Sequence, residues 1–360
     1  MGPQDPEELW SPAHAAAERE VSPIKDWDIR NLSIVAIGGG HGLSTLLRGL
    51  KAQFDHLTAI VTVADDGGSS GALRRHMGLL PPGDLRRCIA ALAEAEPLMA
   101  QLFEYRFGRG TGLDGHTFGN LFIAAMAEIT GDFESAVSEA SRVLAVRGRI
   151  LPSSLNDIVL YAEVRDPATP DGEPRLVRGE SAIAEARGMI DRVFLQPADA
   201  KGYPEAVRAL LHADVIVLGP GSLYTSVLPN LLVSDIRNAV QVSQALKVYI
   251  CNVATQPGET DGFTVGDHVR ALSAHLGNGF CDYVLANGNV DFYLPAASHS
   301  IMVQPVFQDD DGCRMVLVDL VDRTMPWRHD SEKLTAALAH LIRAHMSNGK
   351  HSPRGGCPER

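Results

Sequence analysis

The stretch from Leu32 to Leu50, LSIVAIGGGHGLSTLLRGL, restricts the possible folds more than any other part of the chain. Residues 32–37 form a short apolar run rich in β-branched side chains, which predicts a buried strand. Gly38, Gly39, Gly40 and Gly42 follow at once, and Leu43, Leu46, Leu47 and Leu50 then recur at helical spacing. Strand, glycine turn and helix in that order describe the first βα unit of a doubly wound sheet. Glycines there let the backbone come close to a phosphate, and the free N–H groups of a helix start favour an anion. A tight turn without a ligand needs fewer glycines than this, so the stretch reads as a phosphate cradle.

The familiar nucleotide templates are incomplete. Gly40-x-Gly42-x-x ends on Thr45 where the dinucleotide fingerprint wants a third glycine, and no Gly-Lys-Ser/Thr follows. The second expected strand, residues 57–63, runs into Ala64-Asp65-Asp66. These carboxylates lie roughly twenty residues past the glycines, where an acidic side chain can hold a ribose. The spacing permits a nucleotide without naming it. Asp65 and Asp66 have two readings that stay open, a Mg²⁺ site against phosphates or a capped turn.

With 360 residues and 45% hydrophobic content, the chain can bury a sizeable core. A formal charge of −12 argues against a nucleic-acid binder, which needs a basic face to displace counterions. No run reaches the ~18 apolar residues of a membrane span. The start, MGPQDPEELWSPAHAAAERE, has neither the basic residues nor the apolar stretch of an export signal. Five scattered cysteines suggest neither structural zinc nor a disulfide framework. The expectation is a soluble cytoplasmic protein.

Residues 1–28 and 347–360 are expected to be disordered tails around a single α/β, Rossmann-like domain over 29–346. Its sheet should be mainly parallel, because strands and helices alternate from residue 193 to the end. From Leu85 to about residue 146 the pattern is helical, so about 84–146 reads as a helical insertion over the ligand edge. Before it, Gly67, Gly68, Ser69, Ser70 and Gly71 suggest a second small-residue loop. Asp84 is positioned to cap a helix starting at Leu85. Two further loops follow strands. In GPGSLYTSVLPNLL, Gly219 and Gly221 open the backbone while Ser222, Tyr224, Thr225 and Ser226 present hydroxyls. That is either a second phosphate cradle or a hydroxyl-capped helix start. In CNVATQPGETDG, Asn252, Thr255, Gln256, Glu259 and Thr260 suit bases or sugar hydroxyls. His41 and His116 read as polar contacts rather than metal ligands, and no nucleophile elbow is present.

Taken together, GGGHGLSTLLRGLK, AIVTVADDGGSSGALR, PPGDLRRC, GHTFGNL, GPGSLYTSVLPNLL, YICNVATQPGETDG and WRHD resemble the YvcK-type gluconeogenesis factors, of the superfamily of the 2-phospho-L-lactate transferase CofD. The resemblance spans roughly residues 31–346, and His41 departs from the Thr common at its place. It implies a Rossmann-like cytoplasmic protein that binds a UDP-sugar, notably UDP-N-acetylglucosamine. Such proteins are linked to carbon metabolism, cell shape and cell-wall synthesis, with no established reaction. Protein partners in wall synthesis and a homo-oligomer are expected. The implied ligand contacts are Gly39, Gly40, His41, Gly42, Asp65, Asp66, Ser69, Ser70, Asp84, Asn120, Gly219, Gly221, Ser222, Thr225, Asn252, Gln256 and Arg328. No catalytic residue is assigned, and Mg²⁺ at Asp65 and Asp66 stays open. Two alternatives remain, a CofD-like phospho-acyl transferase and an NAD(P)-binding protein. Arg328 is singled out because both glycine loops lack a basic residue, and a guanidinium can grip two phosphate oxygens at once.

Overall fold

Short apolar runs buried on both faces cannot pair with water on either side, so they assemble at the centre of a layered α/β structure. The computed structural model describes residues 28–169, 171–308 and 312–347; the two expected tails fall almost wholly outside these. The chain begins with β1 (Ser33–Gly38), α1 (Gly40–Leu50) and β2 (His56–Val61). Five helices follow: α2 (Gly68–Met77), α3 (Gly83–Leu92), α4 (Pro97–Glu104), α5 (Phe118–Thr130) and α6 (Phe133–Val143). Next come β3 (Arg149–Pro152), β4 (Val159–Arg165), β5 (Arg175–Arg178), α7 (Glu180–Glu185) and β6 (Met189–Gln196). The second half holds α8 (Pro204–His212), β7 (Val215–Leu218), a π-helical turn (Leu223–Val227), α9 (Leu228–Leu231) and α10 (Ser234–Val242). It closes with β8 (Leu246–Ile250), α11 (Val265–Leu276), β9 (Tyr283–Asn287), β10 (Arg314–Val318) and α12 (Ser331–Ser347).

Seven strands form one sheet in the order β10-β9-β8-β7-β1-β2-β3, and every pairing in it is parallel. From β1 the chain moves outward through β2 and β3, then returns to β7 on the other side of β1 and continues outward to β10. The direction of winding therefore reverses between β1 and β7. In an open sheet that reversal leaves a crevice beyond the carboxyl ends of the two strands, where ligands bind. All four residues of β7 are buried, as are Ile34 to Gly38 of β1, so the loops leaving these strands start from a fixed base. Helix α3 belongs to the core: Leu85, Cys88, Ile89 and Leu92 are fully buried, and its first turn reaches the carboxyl edge of the sheet.

Three expectations are corrected. Residues 193–195 do not resume the large sheet; they lie in β6, which pairs antiparallel with β4 in a separate three-stranded sheet, β5-β4-β6. Ser69, Ser70 and Gly71 are not in a loop but in the first turns of α2. There His116 and Asn120 both hydrogen-bond the Ser69 hydroxyl, at 3.1 and 3.0 Å. Finally, Cys281 and Cys313 are joined as a disulfide. The parallel register sets Tyr283 opposite Arg314 and so brings together the residues preceding β9 and β10. Among the described residues no helix is long and apolar enough to cross a membrane.

Candidate functional site

A cavity of about 510 Å³ opens where the winding reverses. That volume suits a small ligand or cofactor. Its floor is the contact between the loop after β1 and the loop after β7. A Cβ on Gly42 would stand 2.5 Å from the carbonyl oxygen of Pro220 and 2.8 Å from the nitrogen of Gly221. Only glycine allows the two main chains to approach so closely. Gly40 has φ +63°, a left-handed conformation that other residues adopt at a cost. Behind them the buried Asn230 amide donates to the carbonyls of Gly38 (3.0 Å) and Ser226 (2.8 Å), fixing one loop to the other.

Helix α1 begins at this floor, and its first amides would ordinarily be free for an anion. The Gly40 N–H donates to Asp84 Oδ2 at 2.8 Å, and Asp84 Oδ1 accepts from Arg87 Nη1 at 2.5 Å. Asp84 is thus not the cap of its own helix, which begins one residue earlier, at Gly83. Its carboxylate crosses to α1 and partly neutralises Arg87. Among the described residues, the amides of His41 and Gly42 make no hydrogen bond within the protein. His41 is held below the usual histidine range by partial burial, and further by the Arg87 and Arg328 guanidiniums. At neutral pH its ring is uncharged, so the positive charge on this side comes from the two arginines.

Arg328 arrives from the far end of the chain. After β10 the backbone turns between Asp322 and Arg328, with the Asp322 N–H donating to the Arg328 carbonyl at 3.0 Å. Next to it the buried His329 ring bonds the Cys251 carbonyl at 3.1 Å, and burial lowers its pKa to about 4. The Ser331 hydroxyl donates to the Thr45 carbonyl of α1 at 2.7 Å. These contacts lay Trp327, Arg328 and His329 along the cavity wall.

The opposite wall is acidic, with Glu259 buried and Asp65 and Glu180 half-buried. Asp65 accepts from the Gly67 N–H at 2.8 Å, and burial together with Asp84 raises its pKa. Glu180, at the start of α7, is raised further by burial and by the charges of Asp84, Asp65 and Glu259. Burial pushes Glu259 up to about 7, although Thr225 donates to its Oε1 at 3.1 Å. The Oε2 atoms of both glutamates are buried without a hydrogen-bond partner. Between the two walls runs a polar chain: Asn252 Nδ2 donates to Gln256 Oε1 at 3.2 Å, and Gln256 Nε2 to Ser222 Oγ at 2.6 Å.

Of the residues expected from sequence, Gly39, Gly40, His41, Gly42, Asp65, Asp84, Gly221, Ser222, Asn252, Gln256 and Arg328 line this cavity. The other six stand behind it. Gly219 donates its N–H to the Ile37 carbonyl at 2.8 Å, and Thr225 supports Glu259. Ser70 hydrogen-bonds Asp65, while Ser69 and Asn120 bond each other between α2 and α5. Asp66 turns away to accept from the Ser181 N–H at 3.0 Å, so the adjacent carboxylates diverge. Among the described residues no three His, Cys, Asp or Glu side chains are grouped to hold one ion. Sequence reasoning missed Arg87 and Glu180. The first had a local signal, its i,i+3 spacing from Asp84; the second had none.

The chain resembles known proteins over most of its length. The family model described as 2-phospho-L-lactate transferase CofD matches residues 34–325. A putative gluconeogenesis factor of Nostoc sp. is 50% identical over 318 residues, covering 86% of this chain and 68% of the relative. The gluconeogenesis factor of Bacillus subtilis is 46% identical over 317 residues, covering 86% and 98%. A crystal structure of a UPF0052-family protein from Bacillus halodurans superposes with a TM-score of 0.78 at 46% identity, covering 86% of this chain and 99% of that one.

Proposed function

We propose, from the premise that this chain belongs to the CofD family and within it to the gluconeogenesis factors, that it binds a UDP-sugar, UDP-N-acetylglucosamine, and acts as a regulatory protein. The observation that carries the reading is the meeting of two glycine loops at the β1/β7 reversal, with Arg87 and Arg328 on the same cavity. Backbone amides with one or two guanidiniums are a sufficient grip for a diphosphate. Asn252 and Gln256 supply acceptors and donors for a base, and Glu259 an acceptor for a sugar. The missing third glycine counts against a dinucleotide. Such a protein would pass the nucleotide-sugar level on to protein partners in carbon metabolism, cell shape and cell-wall synthesis, as a cytoplasmic homo-oligomer. Incubating the purified chain with a mixture of nucleotides, and identifying by mass spectrometry what it retains, tests this directly.

A second reading has its own support in the family model's description: a transferase moving a phospho-acyl group from a nucleotide. Asp65 faces the cavity and could share a Mg²⁺ with the ligand's phosphates and water, a coordination that ion accepts. The metal would offset the phosphate charge, while the chain's residues orient the donor. Product formation from a nucleotide-activated phospho-acyl donor, absent with UDP-sugars, would favour this reading.

A further inference from the structure

A buried carboxyl oxygen without a partner is unusual, because the fold must desolvate it for no return. Two such oxygens belong to residues that line this one cavity, Oε2 of Glu259 and Oε2 of Glu180. They belong to different elements, the loop after β8 and the first turn of α7. Glu259 is only 7% exposed, and its other oxygen is already held by Thr225. Its carboxyl group is therefore fixed in position with one acceptor left over. Phosphates are repelled from such a wall, which adds Asp65 to the two glutamates. What it can take is a group with several hydrogen-bond donors. A uracil ring has one N–H donor, whereas an N-acetylhexosamine offers hydroxyls and an amide N–H at several angles.

We infer that Glu259, with Glu180 beside it, is the element of the site that reads the sugar, accepting hydrogen bonds from its hydroxyl and amide donors. This rests on the UDP-sugar reading above. The nucleotide's diphosphate lies on the glycine floor under Arg328, and the hexosamine projects toward the α7 side. Near neutral pH the Glu259 carboxyl, raised by burial to about 7, is partly protonated, so it both accepts and donates. That suits hydroxyls, which do the same.

The experiment is a calorimetric titration of wild type, Glu259→Gln and Glu180→Gln with two probes, UDP and UDP-N-acetylglucosamine. Glutamine keeps an oxygen for Thr225 and replaces the spare acceptor by an NH₂ group. Wild type should bind the sugar nucleotide about tenfold more tightly than UDP, the worth of one charged hydrogen bond. In Glu259→Gln that preference should shrink to about twofold, with UDP affinity within about threefold of wild type. Glu180→Gln reads the same ratio in a chain whose Thr225 contact is intact, and thermal melts confirm that each variant is folded. Equal losses for UDP and UDP-N-acetylglucosamine, or an unchanged ratio in both variants, would overturn this assignment while leaving the nucleotide site standing. No binding of either probe to wild type would overturn the UDP-sugar reading and this inference with it.

Discussion

On the glycine side of the cavity the ligand would meet main chain; on the glutamate side it would meet side chains. The glycine floor is set by contact, since Gly42 and Pro220 leave no room between them. Its shape cannot change without moving β1 or β7, both buried in the centre of the sheet. The glutamate wall is set by electrostatics instead: burial raises the pKa values of Asp65, Glu180 and Glu259, and two oxygens are left without partners. A rigid floor of amides would grip any diphosphate of the right length. A wall of poised carboxyls can discriminate among what is attached to it.

The largest effect is expected at the floor. Gly42→Val puts a Cβ where backbone atoms of Pro220 and Gly221 already stand, and none of these can move aside as a side chain would. The expected loss is about 3 kcal/mol or more of stability, with nucleotide binding abolished, as read from urea melts and calorimetry. A Gly42→Val variant as stable as wild type would show that the loops are not pressed together.

On the other wall the expected effect depends on pH. A glutamate has an ordinary pKa of 4.5, and burial raises Glu259 to about 7. The folded chain holds the proton more tightly, so stability falls as pH rises from about 4.5 through about 7 and stays lower above. Glu259→Gln removes that penalty, at most about 3 kcal/mol at pH 8 and close to zero at about pH 4. Glu180 is present in both chains, but the Glu259 charge helps to raise its pKa, so the difference reads Glu259 together with its effect on Glu180. Parallel stability curves for variant and wild type across this window would mean that the carboxyl is not desolvated.

A smaller effect is expected at Arg328, whose side chain is exposed while its neighbour His329 is buried. Arg328→Ala should weaken UDP-N-acetylglucosamine binding by about 1.5–3 kcal/mol. The ligand-free melting temperature should barely move, because His329 and Ser331 hold the segment. Equal affinities for variant and wild type would place Arg328 outside the site.

The contrast between floor and wall also explains what could be read from sequence. The floor is local: a β-branched run, four glycines and a leucine period announce β1, the turn and α1 within about twenty residues. The long alternation of strands and helices likewise pointed to the parallel sheet. The wall is assembled from distant parts. Glu180 reaches the cavity only because β5 and α7 belong with a second, antiparallel sheet, which the apolar run at residues 193–195 does not distinguish from the main one. The Gly67–Gly71 stretch looked like a loop because glycine and serine are poor helix formers. In the fold, bonds from His116 and Asn120 to Ser69 override that propensity. Asp84 was legible as a helix-start residue, but its partner on α1 lies 44 residues away. The Cys281–Cys313 pair has no signal until the register of β9 and β10 is known.

Everything assigned to the two walls depends on the identity of the ligand, and one calorimetric comparison tests that most directly. Purified chain is titrated with UDP-N-acetylglucosamine, GDP and NAD⁺ under the same conditions. The tightest binding is predicted for UDP-N-acetylglucosamine, with weakened binding of that ligand in Arg328→Ala. Tighter binding of NAD⁺ or GDP than of UDP-N-acetylglucosamine would contradict the UDP-sugar site.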